Sequence, residues 1–548
     1  MQTLEAQIDK LFDENPILKL PFPHIYNFFC QIVMRQFLDD KEIPHSTIIP
    51  FTFVFEKVKD FSPQTLESCT ESAYIIQRED FRDLFACANL NIVFPFIHSG
   101  IYNFSRKDEQ TSLIDYFDKA TEDHELHEIM LTQLSLPSIT RLQRSPKTIF
   151  KKILSNLKHE KTFDPEDYLE YISSMYSESQ DAFVEAEIIP ESFYTHIGFS
   201  SSEEFKKIRI AFICLGQTYI DVSIVTDKYL TANALHDTSS GKYIWQGLAM
   251  AKIKHHKLRS LIQHLTSVSN ADYDKFYEFF FCGAGKNSNL SNKFMPPFWH
   301  IEDDIYYFPA IVPTLLSARN VVIAIQNDKQ KNKKYSYDSM ISKLFEPELL
   351  KRAARHFESV ELITCSEVIY KGGEIDLLVY CQKSHTILTI QAKATLYPES
   401  ARMAKRLDGR VFEAVDQTVR FDSLDKSSRD KVFMRALPDI VNIESVQHLR
   451  GVLTNSGFGT TASWQLLKNN DIIPLNCNIL KNTLPKCSSL KELPEKVDKY
   501  IGALKDKFKV VAEQKIFRLP GHTVYQRHLE PLNMKNLHEE YWGENIGQ

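Results

Sequence analysis

Glycine is scarce in this chain, at 17 residues of 548, about 3% against a usual ~7%. Few glycines leave few positions for turns that need positive φ, which disfavours a hairpin-rich all-β fold and favours helices. Paired cysteines are missing too. The nine cysteines, at 30, 69, 87, 214, 282, 365, 381, 477 and 487, stand singly, and none has the CxxC spacing of a zinc knuckle or redox motif. Cys214 and Cys365 lie in apolar, strand-like surroundings where a reduced thiol packs as a small hydrophobe. The odd number and the spacing suit a reducing cytosol. Positive charge is not in excess: the net charge is -6 and the pI about 6.3. Any contact with nucleic acid must then come from a local basic surface on an acidic whole. No long uninterrupted apolar run is present either. The longest, Ile208 to Val225, is broken by Gln217 and Asp221 and falls short of a membrane span. Met1 to Gln7 starts an acidic amphipathic helix instead of a secretory signal, so a cytoplasmic location without a membrane partner is expected.

What is there describes an ordinary globular chain, with 43% hydrophobic and 25% charged residues, long enough for two to four domains. Residues 1–300 are expected to be mainly helical. Helix-spaced apolar residues occur at Ile25 to Phe29, Leu113 to Leu136 and Tyr243 to Val268. Breaks fall at Pro16, Pro21 and Pro23, at Ser135 to Pro137 and at Phe163 to Pro165, giving an internal division near 137–165. Cys282 through Pro297 reads as a loop or linker. Beyond it the pattern predicts a strand over 320–326, a basic loop at Lys329, Lys331, Lys333 and Lys334, and helices from about Asp338 and from Pro347. Proline is tolerated in a first helical turn. Strands are predicted over 359–364, 374–380 and 387–394, a long helix over 400–421, and strands over 448–454 and 471–476. The expected fold class is therefore α+β and multidomain: a mainly helical region over 1–300, an α/β core with a central mixed sheet over 315–485, and a helix and irregular tail over 486–548.

The chemistry concentrates in Gly372–Tyr380 and Ile387–Lys393. Side chains alternate faces along a strand. Thr389, Gln391 and Lys393 therefore share one face of the second segment, and Leu388, Ile390 and Ala392 the other. If the segments pair as a hairpin through Cys381 to Thr386, Asp376 lies across from the Gln391/Lys393 end. A buried charge there needs a partner, and a divalent cation would satisfy it. Mg²⁺ (or Mn²⁺) takes hard oxygen ligands and keeps several waters. Asp376, the Gln391 side-chain carbonyl and the Ala392 backbone carbonyl are the expected ligands. Lys393 would stabilise charge beside an attacking water. A further carboxylate is expected from Glu346 or Glu348. Glu374 lies one pleat further out. The helix over 402–420 is sharply amphipathic: Arg402, Arg406, Arg410, Glu413, Gln417 and Arg420 fall within about 80° of one another at ~100° per residue. Met403, Leu407, Val411, Val415, Thr418 and Val419 take the other side. Such an arginine stripe suits phosphate contacts.

This D…QxK arrangement resembles the PD-(D/E)xK, or restriction-endonuclease-like, nuclease superfamily, in the QxK form similar to its Mrr-type branch. The likeness covers about residues 320–480. Gln417-Thr418-Val419-Arg420-Phe421 resembles the Q-x-x-x-Y element of RecB-type members, with Phe for Tyr. The resemblance implies a metal-dependent endonuclease acting on DNA, with Asp376, Gln391 and Lys393 in the core motif and Gln417 as an added site residue. Arg402, Arg406, Arg410 and Arg420 would position the DNA backbone. By analogy of context it also implies a restriction or anti-phage defence effector, whose N-terminal part takes a protein partner or second subunit. RNA stands as another substrate, and a non-catalytic fold that binds DNA or protein stands as the alternative class.

Other patterns carry less. Gly283-Ala284-Gly285-Lys286 lacks Walker spacing and is followed by Asn287. His124-Glu125-Leu126-His127-Glu128 is not HExxH and reads as an exposed polar helix face, as does His255-His256. The lysine loop reads as a solvated turn. Cys477 and Cys487 lack His or Cys partners for a zinc set.

Overall fold

The structure, a computed structural model, describes residues 1–20, 24–26, 28–30, 32–33, 50, 54, 78–135, 149–159, 163–179, 189–235, 251–283, 298–307, 316–327, 333–396, 401–438, 443–507 and 510–531. Helices and several mixed sheets make it an α+β protein. The chain divides into two compact units. One holds Met1–Asn91, Ile139–Glu185 and Glu191–Tyr337, and the other Ile92–Ser138, Ala186–Pro190 and Asp338–Gln548. The division is thus not the contiguous one expected near residue 300, because residues 92–138 join the C-terminal half.

The first unit is built round the helix Ser202–Ala232. Ser201 caps it by accepting the Glu204 amide, and Glu203 and Glu204 sit in the first turn, where they complement the helix dipole. At 31 residues this helix is long and apolar enough to cross a membrane, but 89% of its apolar window is buried within the protein, as in a core helix. The polar breaks in its apolar run have partners. Asp221 accepts from Tyr171 Oη (2.8 Å) and Gln217 Nε2 (2.9 Å), as buried polar groups require. Phe212 stacks on Phe276 and packs against Phe298. A four-stranded sheet, in the order Ala251–Lys254, Asp304–Tyr307, Phe298–Ile301, Phe281–Gly283, was not anticipated.

Three expectations for this unit change. Residues 320–326 are not a strand but lie in the helix Ala318–Asn327. Val321, Val322, Ala324 and Ile325 are all buried, and a short apolar run covered all round has no period to separate helix from strand. The helix expected from Tyr243 begins only at His255, after the strand Ala251–Lys254; residues 243–250 lie outside the described residues. His255 is partly buried against His300 and Tyr277, not on a solvated face. Most of the expected linker Cys282–Pro297 and the lysines at 329 and 331 also lie outside the described residues.

The second unit is numbered here from its own first elements. The chain runs β1 (Tyr102–Arg106), β2 (Thr111–Tyr116) and α1 (Lys119–Ser135). The helix expected to start at Leu113 is therefore a strand up to Tyr116, with Ser112, Ile114 and Tyr116 facing inward in period two. A helical turn, Tyr337–Met340, then a π-turn, Ile341–Phe345, lead into α2 (Glu346–Glu358). Leu349, Ala353 and Phe357 form its buried stripe. The sheet strands follow as β3 (Ile363–Tyr370), β4 (Gly373–Cys381) and β5 (Thr386–Lys393). The first of these starts later than the expected 359–364. Next come α3 (Ala401–Asp422), α4 (Lys426–Ala436), β6 (Gln447–Thr454), α5 (Thr461–Asn469), β7 (Ile473–Leu475), α6 (Cys477–Thr483) and α7 (Leu493–Lys507).

The five strands lie in the order β7-β6-β5-β4-β3. The β3/β4 and β4/β5 pairs are antiparallel, and β5/β6 and β6/β7 are parallel. Central β5 is buried along its whole length, so both of its faces are covered, not the apolar one alone. Tyr370, Leu378, Tyr380, Phe421 and Phe433 form the core on one side. The tail beyond α7, expected to be irregular, is ordered over residues 510–531. It forms a hairpin, β8 (Val510–Leu519) and β9 (His522–Pro531), and β9 pairs with β2 to make a second sheet, β1-β2-β9-β8.

Candidate active site

The site follows from where the β4/β5 ladder stops. The two strands pair from Cys381/Thr386 to Leu377/Ile390 and no further, while β5 stays paired with β6 through Val452/Gln391, Leu453/Ala392 and Thr454/Lys393. Side chains take over the open side of β5. Asp376 Oδ2 accepts the Ala392 amide at 2.7 Å, and Gln391 Nε2 donates to the Glu374 carbonyl at 2.6 Å. Asp376, expected across from Gln391 and Lys393, thus bonds the backbone of Ala392 between them, Gln391 bonds the Glu374 carbonyl, and the Glu374 side chain is exposed.

Burial is the main influence on the Asp376 carboxyl and raises it to about 6, against the pull of the Ala392 amide and of Lys393. Glu374 and Glu413 push it the same way as burial. Glu346, the first residue of α2 after the π-turn, is raised for the same leading reason. Lys393 and Arg410 draw it back, Asp376 repels it, and the Ala394 amide bonds it. Its Oε1 is buried without a hydrogen-bond partner. Glu346 therefore belongs to the site. Glu348 does not: it faces Arg352, 3.1 Å away on its own helix.

Lys393 is 7% exposed, and its Nζ meets Glu413 Oε1 at 3.3 Å. Glu413 Oε2 in turn meets Arg410 Nη1 at 3.3 Å. Gln417, one turn further along α3, has a buried Oε1 with no partner. Phe421 is buried edge-on against Tyr370 and Phe433. Arg406 bonds Asp338, and Arg410 lies 4.0 Å from the same carboxylate. Two members of the expected phosphate stripe are thus already paired with acids. Arg420 is exposed. Arg402 lies in α3, and its side chain is outside the described residues. Val419, expected inside, is 41% exposed, because α3 turns the buried Thr418 inward instead.

Among the described residues no group of three or more His, Cys, Asp or Glu side chains could hold a metal ion. The donor set here is two carboxylates, Asp376 and Glu346, with an amide, Gln391. It fits a hard cation in that Glu346 Oε1 is a buried acceptor lacking a donor, and burial of the two acids disfavours their charge until a cation compensates it. Cys477 is pushed up to about 11 by burial, as for an inert packed thiol.

Three residues of this region carry roles that the sequence did not disclose. Glu413 was visible only as a member of the arginine stripe. Asp408 on α3 accepts from Thr460 N (2.7 Å) and Thr460 Oγ1 (2.8 Å) and so ties down the start of α5. Glu128, on the helix face expected to be solvated, accepts Phe458 N (2.7 Å) and Trp464 Nε1 (2.9 Å). Both acids hold the loop that leaves β6 just beyond Thr454, the residue beside Lys393. No protein-family model, no curated protein and no solved structure matches this chain.

Proposed function

We propose that the protein is a metal-dependent nuclease that hydrolyses DNA phosphodiester bonds on a restriction-endonuclease-like core. One observation carries the reading: Asp376, Gln391, Lys393 and Glu346 meet where β4 leaves β5, with Glu346 Oε1 and Gln417 Oε1 buried and unbonded. The order α2-β3-β4-β5-α3-β6, with two antiparallel pairs and then a parallel one, supports the same likeness. Asp376, Glu346, the Gln391 side-chain carbonyl and the Ala392 backbone carbonyl would hold Mg²⁺ or Mn²⁺. Such an ion, when bound, makes a water more acidic and polarises a phosphoryl oxygen.

The chain's own groups do the rest. Lys393 places its side-chain nitrogen beside the carboxylates, where its charge offsets charge that develops on the phosphate. Gln417 holds an unspent acceptor toward a hydroxyl or base amine. Arg420, which is exposed, offers a cation to the DNA backbone. Arg406 and Arg410 do so once a phosphate displaces Asp338. A cytoplasmic restriction or anti-phage effector, with the first unit taking a protein partner, fits this chemistry by analogy.

The net charge of -6 and the absence, among the described residues, of a three-acid group favour the second reading, a nuclease fold that binds DNA or protein without cutting. Supercoiled plasmid with Mg²⁺ or Mn²⁺ decides between them. Nicking by the wild type, strongly reduced in Asp376→Ala and Lys393→Ala, is expected. Binding without nicking, unaltered by either substitution, points to the binding module, and the same assay on labelled RNA tests the other substrate.

A further inference from the structure

We infer that Glu413 is a positioning residue for Lys393, supplying from α3 the negative charge that Gln391 does not supply from β5. The inference rests on the nuclease reading above. A lysine ammonium that is this buried needs a counter-charge. The residue two before it on the same face is Gln391, which is neutral and whose amide nitrogen is committed to the Glu374 carbonyl. The carboxylate that reaches Nζ is Glu413, at 3.3 Å. Arg410, Glu413 and Gln417 follow one another at i, i+3 and i+7, so α3 turns one row of polar groups toward the site. Glu413 bridges within that row, with one oxygen on Lys393 and the other on Arg410.

An ion pair with a carboxylate that is 47% exposed contributes little to stability. Its consequence is geometric. Lysine is a point charge on a flexible four-carbon stem. Paired with Glu413 and within the electrostatic reach of Asp376 and Glu346, the ammonium is held at the open end of β5. The pairs that Glu413 makes are with Lys393 and Arg410, so its assigned role is exerted through Lys393.

The test uses the full-length protein, supercoiled plasmid and Mg²⁺, with Glu413→Gln, Glu413→Asp, Lys393→Ala and the Glu413→Gln/Lys393→Ala double variant. Glu413→Gln is expected to lower kcat about tenfold or more while KM for DNA changes less than about threefold. Glu413→Asp, which keeps the charge, should recover part of that loss. In single-turnover assays with enzyme in excess, Glu413→Gln should add nothing on the Lys393→Ala background. Full activity of Glu413→Gln overturns the inference, as does an equal loss with and without Lys393. The nuclease reading survives either result. A wild type that cuts no DNA overturns both.

Discussion

The Asp376 carboxylate takes the Ala392 amide at 2.7 Å, a side chain standing where the β4 backbone no longer reaches. The bond fastens an acid inside the sheet without neutralising it. Burial holds this carboxyl at about 6, above its ordinary 3.8. For an acid raised in this way, the folded state is favoured by protonation. That contribution is fully present below the unfolded value and is lost as pH rises through about 6. Above that pH the ionised group lowers stability by on the order of 3 kcal/mol, at about 1.4 kcal/mol per pH unit. Asp376→Asn keeps an oxygen for the Ala392 amide and removes the charge. It should melt higher than the wild type at pH 7.5, with the difference closing near pH 4, and should lose Mn²⁺ binding in calorimetry. A lower melting point at pH 7.5 would mean that the carboxylate is better compensated than its burial implies.

Asp338 is 73% exposed, yet it engages both Arg406 and Arg410. If those guanidiniums meet DNA phosphates, Asp338 competes with the substrate. Asp338→Asn should tighten DNA binding about threefold at low salt and steepen the salt dependence by about one unit of slope, one more released counterion. Unchanged affinity and slope in a salt titration would exclude Arg406 and Arg410 from the DNA surface.

The parts of the second unit that were legible are those set by local pattern. The strands bearing Asp376 and Gln391, the helix α3 and the strand β6 follow from alternation and helical period, and their ends agree to within a residue or two. The illegible parts depend on partners distant in sequence. Thr111–Tyr116 looks helical beside Lys119–Ser135, but β9, some 410 residues later, pairs with it through Thr523/Thr111 and its neighbours. Val321 to Ile325 shows no clear period because all but Ile323 are buried. The choice between Glu346 and Glu348 turned on rotation about α2. Two residues apart, they point roughly 200° from each other, and only Glu346 faces Lys393 and Asp376. Glu413 was hidden because its place in an arginine stripe already explained its charge.

Glu128 anchors the loop that leaves β6. Burial raises its carboxyl to about 8, although Phe458 N, Gly459 N and Trp464 Nε1 bond it. His124, one turn earlier on α1, stacks on the same indole. The loop fits closely: a Cβ added at Gly457 would overlap the Glu128 carboxylate, and Gly459 adopts φ +99° where an added Cβ would overlap Asp408. Removing the acceptor strands buried donors, so Glu128→Ala should destabilise by about 1–3 kcal/mol. Gly457→Ala should also destabilise, because the overlap is with a carboxylate already fixed by three donors. Glu128→Gln keeps an acceptor oxygen without the charge. The raised carboxyl contributes stability that is present at low pH and lost as pH rises through about 8. Glu128→Gln should therefore match the wild type most closely near pH 4.5, the carboxyl's ordinary value, and exceed it at pH 9. Chemical denaturation at the two pH values measures both. If Glu128→Gln falls below the wild type at pH 9, the ionised carboxylate, not a neutral acceptor, holds the loop.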